Sequence, residues 1–138
     1  MTNEQTFKTN SKFKYVTYEP DADSWYFAFE DKTSFFLTTF WRLLHNNKIE
    51  MVSLDNGNQF GVPKLVDLVE MLTKILTGKS LLEIKVKQDT ADLLLTLTDN
   101  IQIEIFISST GYESYNFSLD NKNYYGLGSG DIAVFENK

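Results

Sequence analysis

The chain has 138 residues, no cysteine, 14% aromatic side chains and a formal net charge of −6. The length suits one domain with one packed core, and the missing cysteine excludes disulfides, thiolate metal sites and a cysteine nucleophile. No apolar run approaches the roughly 18 residues of a membrane-spanning helix, and a polar N-terminus without an apolar leader predicts a cytoplasmic protein.

Charge is unevenly distributed. Residues 1–88 carry 11 basic and 11 acidic side chains, whereas residues 89–138 set Lys122 and Lys138 against eight acidic residues. That imbalance disfavours nucleic acid, which needs clustered Lys and Arg, and favours a basic partner. A solvated acidic surface kept for solubility is the plainer alternative.

In chain order, residues 1–11 read as a disordered polar tail and residues 12–138 as a single α+β domain. Residues 13–18 alternate as a strand, residues 19–23 form a turn around Pro20, and residues 24–30 place Trp25, Phe27 and Phe29 on one face. Asp31-Lys32 is a two-residue hairpin loop lacking the favoured glycine. Residues 34–44 read as one long apolar strand, His45-Asn46-Asn47-Lys48 as a turn and residues 49–54 as a further strand. One main helix is predicted over about residues 63–77. Pro63 suits its first turn, Leu65, Leu68, Val69, Leu72, Ile75 and Leu76 form its apolar stripe, and Glu70–Lys74 is an i,i+4 pair. Gly78 closes it in the left-handed region. A meander follows: Leu82, Ile84 and Val86; Leu93, Leu95 and Leu97; a turn at Asp99-Asn100; then Ile101, Ile103, Ile105 and Ile107. Residues 112–118, 124–127 and 132–135 are the last strands, with a turn at Asp120-Asn121. The fold class is α+β: a mostly antiparallel sheet packed on one helix.

A near-repeat suggests internal duplication. Ser53-Leu-Asp-Asn-Gly-Asn-Gln-Phe-Gly61 returns as Ser118-Leu-Asp-Asn-Lys-Asn-Tyr-Tyr-Gly126, with six identical positions. Ala22-Asp23 likewise resembles Ala91-Asp92. Reuse of the few residues that suit turns is the competing explanation.

Motifs with chemistry are sparse. His45, the one histidine, lies in a turn with no partners for a triad or a zinc site. Gly126-Leu-Gly-Ser-Gly130 leads into a strand rather than a helix, so it reads as a bulge and not a phosphate loop. Asp55-Asn56-Gly57-Asn58 and Asp120-Asn121-Lys122-Asn123 lack the closing glutamate of a calcium loop. Glu104 with Glu113 reads as an exposed sheet face rather than an acid–base pair. No cofactor and no metal are expected. The most distinctive stretch is Ser108-Ser-Thr-Gly-Tyr-Glu-Ser-Tyr-Asn-Phe117, which mixes phenols with a carboxylate as protein-recognition surfaces do.

Trp41-Arg-Leu-Leu, Lys48-Ile, Asp55 through Gly57 to Phe60-Gly61, the helix, Asp92-Leu and Ser109-Thr-Gly-Tyr-Glu-Ser-Tyr115 occur in an order that resembles a family of small bacterial proteins. Some of its members resemble immunity proteins of polymorphic toxin systems. The resemblance covers roughly residues 40–120, departs from the family pattern at Tyr115, where that pattern has Trp, and leaves residues 12–39 as an addition. It implies no catalytic residues.

The expected function is therefore non-enzymatic: a protein-binding domain of immunity type that neutralises a basic toxin by stoichiometric blockade. Partner contact is assigned to Glu104, Tyr112, Glu113, Tyr115, Asp120 and Tyr124. The alternative is a small-ligand-binding or structural domain, as a monomer or homodimer. In it Trp25, Phe27, Phe29, Phe35, Phe36, Phe40 and Trp41 line a pocket or an interface. An enzyme is the least favoured class.

Overall fold

Four two-residue turns set the frame of the sheet. Asp31-Lys32, Asn46-Asn47, Asp99-Asn100 and Asp120-Asn121 each hold both residues at φ between 51° and 68°. This is the turn whose twist matches that of paired strands. Asn and Asp tolerate that region, and Lys32 occupies it without glycine's freedom.

The computed structural model describes residues 4–59, 61 and 64–136. Strands β1 (Gln5–Glu19), β2 (Ser24–Phe29), β3 (Ser34–Leu37), β4 (Trp41–His45) and β5 (Lys48–Val52) precede helix α1 (Leu68–Leu76). Strands β6 (Ser80–Val86), β7 (Leu93–Leu97), β8 (Ile101–Ile105), β9 (Tyr115–Leu119), β10 (Lys122–Gly126) and β11 (Ile132–Glu136) follow. All pairings are antiparallel, in the order β11-β10-β9-β3-β2-β1-β6-β7-β8-β4-β5. The sheet dominates and α1 is the one α-helix among the described residues.

Two chain segments join the halves of this sheet. The first half of β1 pairs with β6 and its second half with β2, with register shifts at Lys8/Ser11 and Phe13/Tyr15. On the other side, β3 pairs with β9, and three residues later β4 pairs with β8. The halves therefore face each other around one core. Trp41 of β4 meets Trp25 and Phe27 of β2 edge-on at 5.0 and 5.6 Å, and Phe7 of β1 meets Phe117 and Tyr124 at 6.2 and 5.1 Å. Such perpendicular contacts favour the ring quadrupoles beyond simple burial.

Helix α1 starts later than expected. Asp67, not Pro63, sets its N-terminus, its carboxylate accepting from Glu70 N at 3.2 Å, and Asn56 Oδ1 accepts from Leu68 N at 2.9 Å. Pro63 itself lies outside the described residues, as does Phe60. Leu68, Leu72 and Leu76 enter the core, and Gly78 at φ 85° ends the helix as expected. Glu70 and Lys74 pair at 3.2 Å. Leu65, expected on the buried stripe, precedes the helix and is 61% exposed.

The topology has a pseudo-twofold axis. Exchanging β1 to β5 with β6 to β10 turns the order of those ten strands into its own reverse. Equivalent residues are 68 apart in the first three strands of each half: Phe13 with Leu81, Val16 with Ile84, Trp25 with Leu93 and Leu37 with Ile105. The β1 bulge at Phe13/Tyr15 recurs in β6 at Leu81/Glu83. Asp23 and Ala91 are equivalent and share positive φ, so the likeness of Ala22-Asp23 to Ala91-Asp92 is out by one residue. The nonapeptide is out of register altogether. Ser53 opens a 3₁₀ turn, and the loop after it docks the helix through Gly57 N to Val66 O and Val66 N to Asn58 O. Ser118 instead lies inside β9. Its resemblance comes from turn composition, while the repeat in the backbone is carried by other residues.

Three further expectations are corrected. Residues 5–11 are not a tail but the part of β1 that pairs with β6; their alternate polar side chains hid the strand. The apolar run 34–44 is interrupted at residues 38–40, where the chain crosses between halves. Of the aromatic set of the first half, Trp25, Phe27, Phe29, Phe35 and Trp41 are at most 2% exposed and pack on one another in the core, while Phe36 and Phe40 are half-buried. They enclose no common pocket, though Trp25 and Phe40 border one surface depression and Phe29 another.

Leu72→Ala is expected to cost about 2–5 kcal/mol by opening a core cavity, while Leu65→Ala stays within about 0.5 kcal/mol. Chemical denaturation of the two variants checks this; equal costs would mean that the helix begins before Asp67.

Candidate functional site

The two crossovers, residues 38–40 and 106–114, lie against each other. Thr38 N donates to Ser114 O at 3.0 Å and Phe106 N donates to Phe40 O at 3.2 Å. These two bonds are equivalents under the pseudo-twofold. The rings of Phe40 and Phe106 meet at 5.3 Å, and Thr39 Oγ1 sits 2.5 Å from Phe106 O and 2.6 Å from Ser108 Oγ. The second crossover is longer by residues 108–113, an insertion that covers most of the distinctive Ser-Thr-Gly-Tyr-Glu stretch.

The insertion is held internally. Ser109 Oγ accepts from the backbone N–H groups of Gly111 and Tyr112 at 3.1 and 3.0 Å. Residues 127–131 brace it: Ser129 N donates to Ser109 O and Ser129 Oγ to Thr110 O. The brace needs glycine, because a Cβ on Gly128 would stand 2.4 Å from the Thr110 carbonyl carbon, and one on Gly130 would stand 2.3 Å from Asp89 O. The glycine loop is thus a packing element leading into β11, as its lack of a following helix implied.

Two depressions flank the paired crossovers and share Ser108. The larger, about 770 Å³ and widely open, is lined by Asp89, Thr90, Asp92, Ile107, Ser108, Ser109, Thr110, Ser129 and Gly130. The smaller, about 130 Å³, lies among Asp23, Trp25, Thr38, Thr39, Phe40, Ser53, Leu54 and Ser108. The segments around this face carry Glu19, Asp21, Asp23, Asp89, Asp92, Glu113 and Asp131, with Lys87 as their one cation. Asp92 is fixed by the N–H of Ile107 at 2.8 Å. Tyr18 OH donates to Asp23 Oδ1 at 2.8 Å; that bond, then burial, raises the Tyr18 pKa.

The expected contact residues divide. Tyr112, 80% exposed, and Glu113 stand on the insertion at this face. Asp120 is exposed in the turn at the far end of β9. Glu104 is taken up by Arg42, whose Nε lies 2.5 Å from its Oε1 and whose guanidinium lies over the Phe106 ring. Tyr115 and Tyr124 are core residues, 1% and 7% exposed. Their position in strands β9 and β10, in phase with Phe117 and Leu119 on the inner face, decides this. Asp99, another late carboxylate, bonds Lys79, which lowers its pKa. Asp89, Asp92 and Asp23, which sequence reasoning left unassigned, belong to the face; the period-two phase of residues 115–119 was the available signal against Tyr115.

Among the described residues no group of three or more His, Asp or Glu side chains is placed to hold a metal ion. No described helix is long and apolar enough to cross a membrane. Compared with protein-family models, characterised proteins and solved structures, the chain matches none.

Tyr115 OH donates to Ala91 O at 2.7 Å, tying the second crossover to the Asp89–Asp92 turn. Burial first, and the Asp92 charge second, push its pKa far above the usual tyrosine value of 10.0. A raised folded-state pKa means that the contribution to stability is complete below the unfolded value and is lost as pH climbs beyond it toward the folded one. Stability is therefore expected to fall above about pH 10. Tyr115→Phe is expected to cost about 1–3 kcal/mol at neutral pH by orphaning the Ala91 carbonyl, and to flatten that alkaline slope. Urea titrations at neutral and alkaline pH check both; an unchanged slope would assign the loss to other groups.

Proposed function

We propose that the chain is a non-enzymatic protein-binding domain whose crossover face receives a cationic protein. This is the working mode of a cytoplasmic immunity protein that blocks a basic toxin by one-to-one occlusion. The observation that carries the reading is the insertion at residues 108–113. It departs from the pseudo-symmetric frame, and it raises Tyr112, 80% exposed, beside an open depression rimmed by Asp89 and Asp92. A braced tyrosine loses little entropy on binding and supplies a large contact area. The carboxylates at residues 19–23, 89–92, 113 and 131 supply long-range attraction, which speeds encounter and weakens with salt. The hydroxyls of Thr90, Ser108 and Thr110 suit the N–H groups of Lys or Arg side chains entering the depression.

The test is titration with the basic proteins encoded immediately beside this one. One of them is expected to form a one-to-one complex whose association rate falls as salt rises. Tyr112→Ala is expected to weaken it about 10-fold or more, and Asp89→Lys with Glu113→Lys to remove most of the salt dependence. A complex unaffected by all three changes would place the contact elsewhere, and the absence of any complex would refute the reading.

A further inference from the structure

A third concavity, of about 390 Å³, lies on the outer face of β1, β2, β3 and β9. It is at the hairpin end of these strands, opposite the crossovers. Cross-strand register explains it. Tyr15 stands opposite Ala28, Ala28 opposite Ser34, and Ser34 opposite Ser118. The side chains of Ala28, Ser34 and Ser118 form a low floor, and Tyr15 and Tyr26 rise beside it with ring centroids 6.1 Å apart. Lys14 and Lys32 line it as well, and neither enters an ion pair among the described residues. Lys14 is the extra residue of the β1 bulge, a device that re-aims a side chain. Thr33, 1% exposed, also lines the cavity, and among the described residues the one hydrogen bond of its hydroxyl is a long 3.5 Å contact to Asp31 O.

The pseudo-twofold supplies an internal control. On the same backbone frame, the other half has Thr96, Gln102 and Leu44 in place of Ala28, Ser34 and Ser118, and Leu82 and Asn100 in place of Lys14 and Lys32. The low floor and the paired cations are thus features of side-chain choice in one half, not of the fold.

We infer that this cavity is a small-molecule site for a phosphate ester of a flat ring, about the size of a mononucleotide. The tyrosines offer the ring an aromatic wall. Two lysines outside the ion pairs of the described residues line one cavity of an acidic chain, and compact ammonium groups of this kind bind phosphate as point charges. The hydroxyls of Thr33 and Ser34 are within the same cavity for the sugar or the remaining oxygens, and that of Ser118, which donates to Asn123 Oδ1, is left to accept from the sugar. The site is independent of the crossover face.

The experiment is amide-resolved NMR titration of the full chain with adenosine monophosphate, adenosine and inorganic phosphate in parallel. The nucleotide is expected to shift the amides of Lys14, Ala28, Ser34 and Ser118 and to bind more tightly than either fragment. Lys14→Ala with Lys32→Ala, both at exposed positions, is expected to weaken it about 10-fold or more while leaving adenosine unaffected. Ser34→Leu fills the floor and is expected to abolish binding, with an otherwise unchanged spectrum reporting that the fold is kept. No saturable shift with the nucleotide, shifts confined to other surfaces, equal binding of adenosine, or indifference to loss of both lysines would each overturn the assignment.

Discussion

Two backbone hydrogen bonds, Thr38 N to Ser114 O and Phe106 N to Phe40 O, close the side of the molecule that faces β1. Each half of the sheet contributes a three-stranded meander, and each then sends a hairpin across to the other half. Neither half can complete its own sheet without the chain of the other. The exchange forces the crossovers to pass side by side, which puts irregular backbone where a buried edge would otherwise leave unpaired N–H and C=O groups. Bonding the crossovers to each other satisfies those groups. The buried rings of Trp41 and Tyr115, equivalent residues that open β4 and β9, then pack directly beneath.

That symmetry also shows where the chain departs from it. Strand order, the bulge shared by β1 and β6, and hairpin turns repeat between halves, so they reflect what the fold needs. Besides α1 and β11, which have no counterparts, the departures are a six-residue insertion in one crossover, the glycine loop that braces it, and the low basic floor on one outer face. The equivalence of Trp41 and Tyr115 contains a smaller departure. The Tyr115 hydroxyl reaches Ala91 O, whereas Trp41 Nε1 is buried without an acceptor among the described residues and the Trp41 ring meets those of Trp25 and Phe27 at right angles. One side of the crossover region is tied by a hydrogen bond and the other by aromatic packing.

Much of the frame was legible in the amino-acid pattern, because the residues that make turns do so locally. Asp-Asn and Asn-Asn pairs marked three hairpins, Gly78 marked the helix end, and leucines at period two marked β7. Long-range pairing was not legible. Residues 5–11 alternate between polar side chains and Phe7, so nothing local distinguishes them from a tail until β6 lies beside them. Thr38-Thr39-Phe40 continues an apolar run and gives no sign that the chain changes sheets there. The nonapeptide misled because side chains that favour turns recur for local reasons, whereas the true repeat pairs residues as unlike as Trp25 and Leu93. Of the site, Tyr112 and Glu113 were readable from composition. Asp23, Asp89 and Asp92 were not, since their convergence depends on the crossovers.

The most direct measurement of this account is native-state hydrogen exchange at Thr38 and Phe106. If the paired crossovers lock the two halves into one cooperative unit, both amides exchange only through global unfolding, at the same free energy as core amides such as Ile103 and Phe117. Exchange of Thr38 or Phe106 at the rate of the exposed Tyr112 loop, with the rest of the sheet still protected, would contradict it.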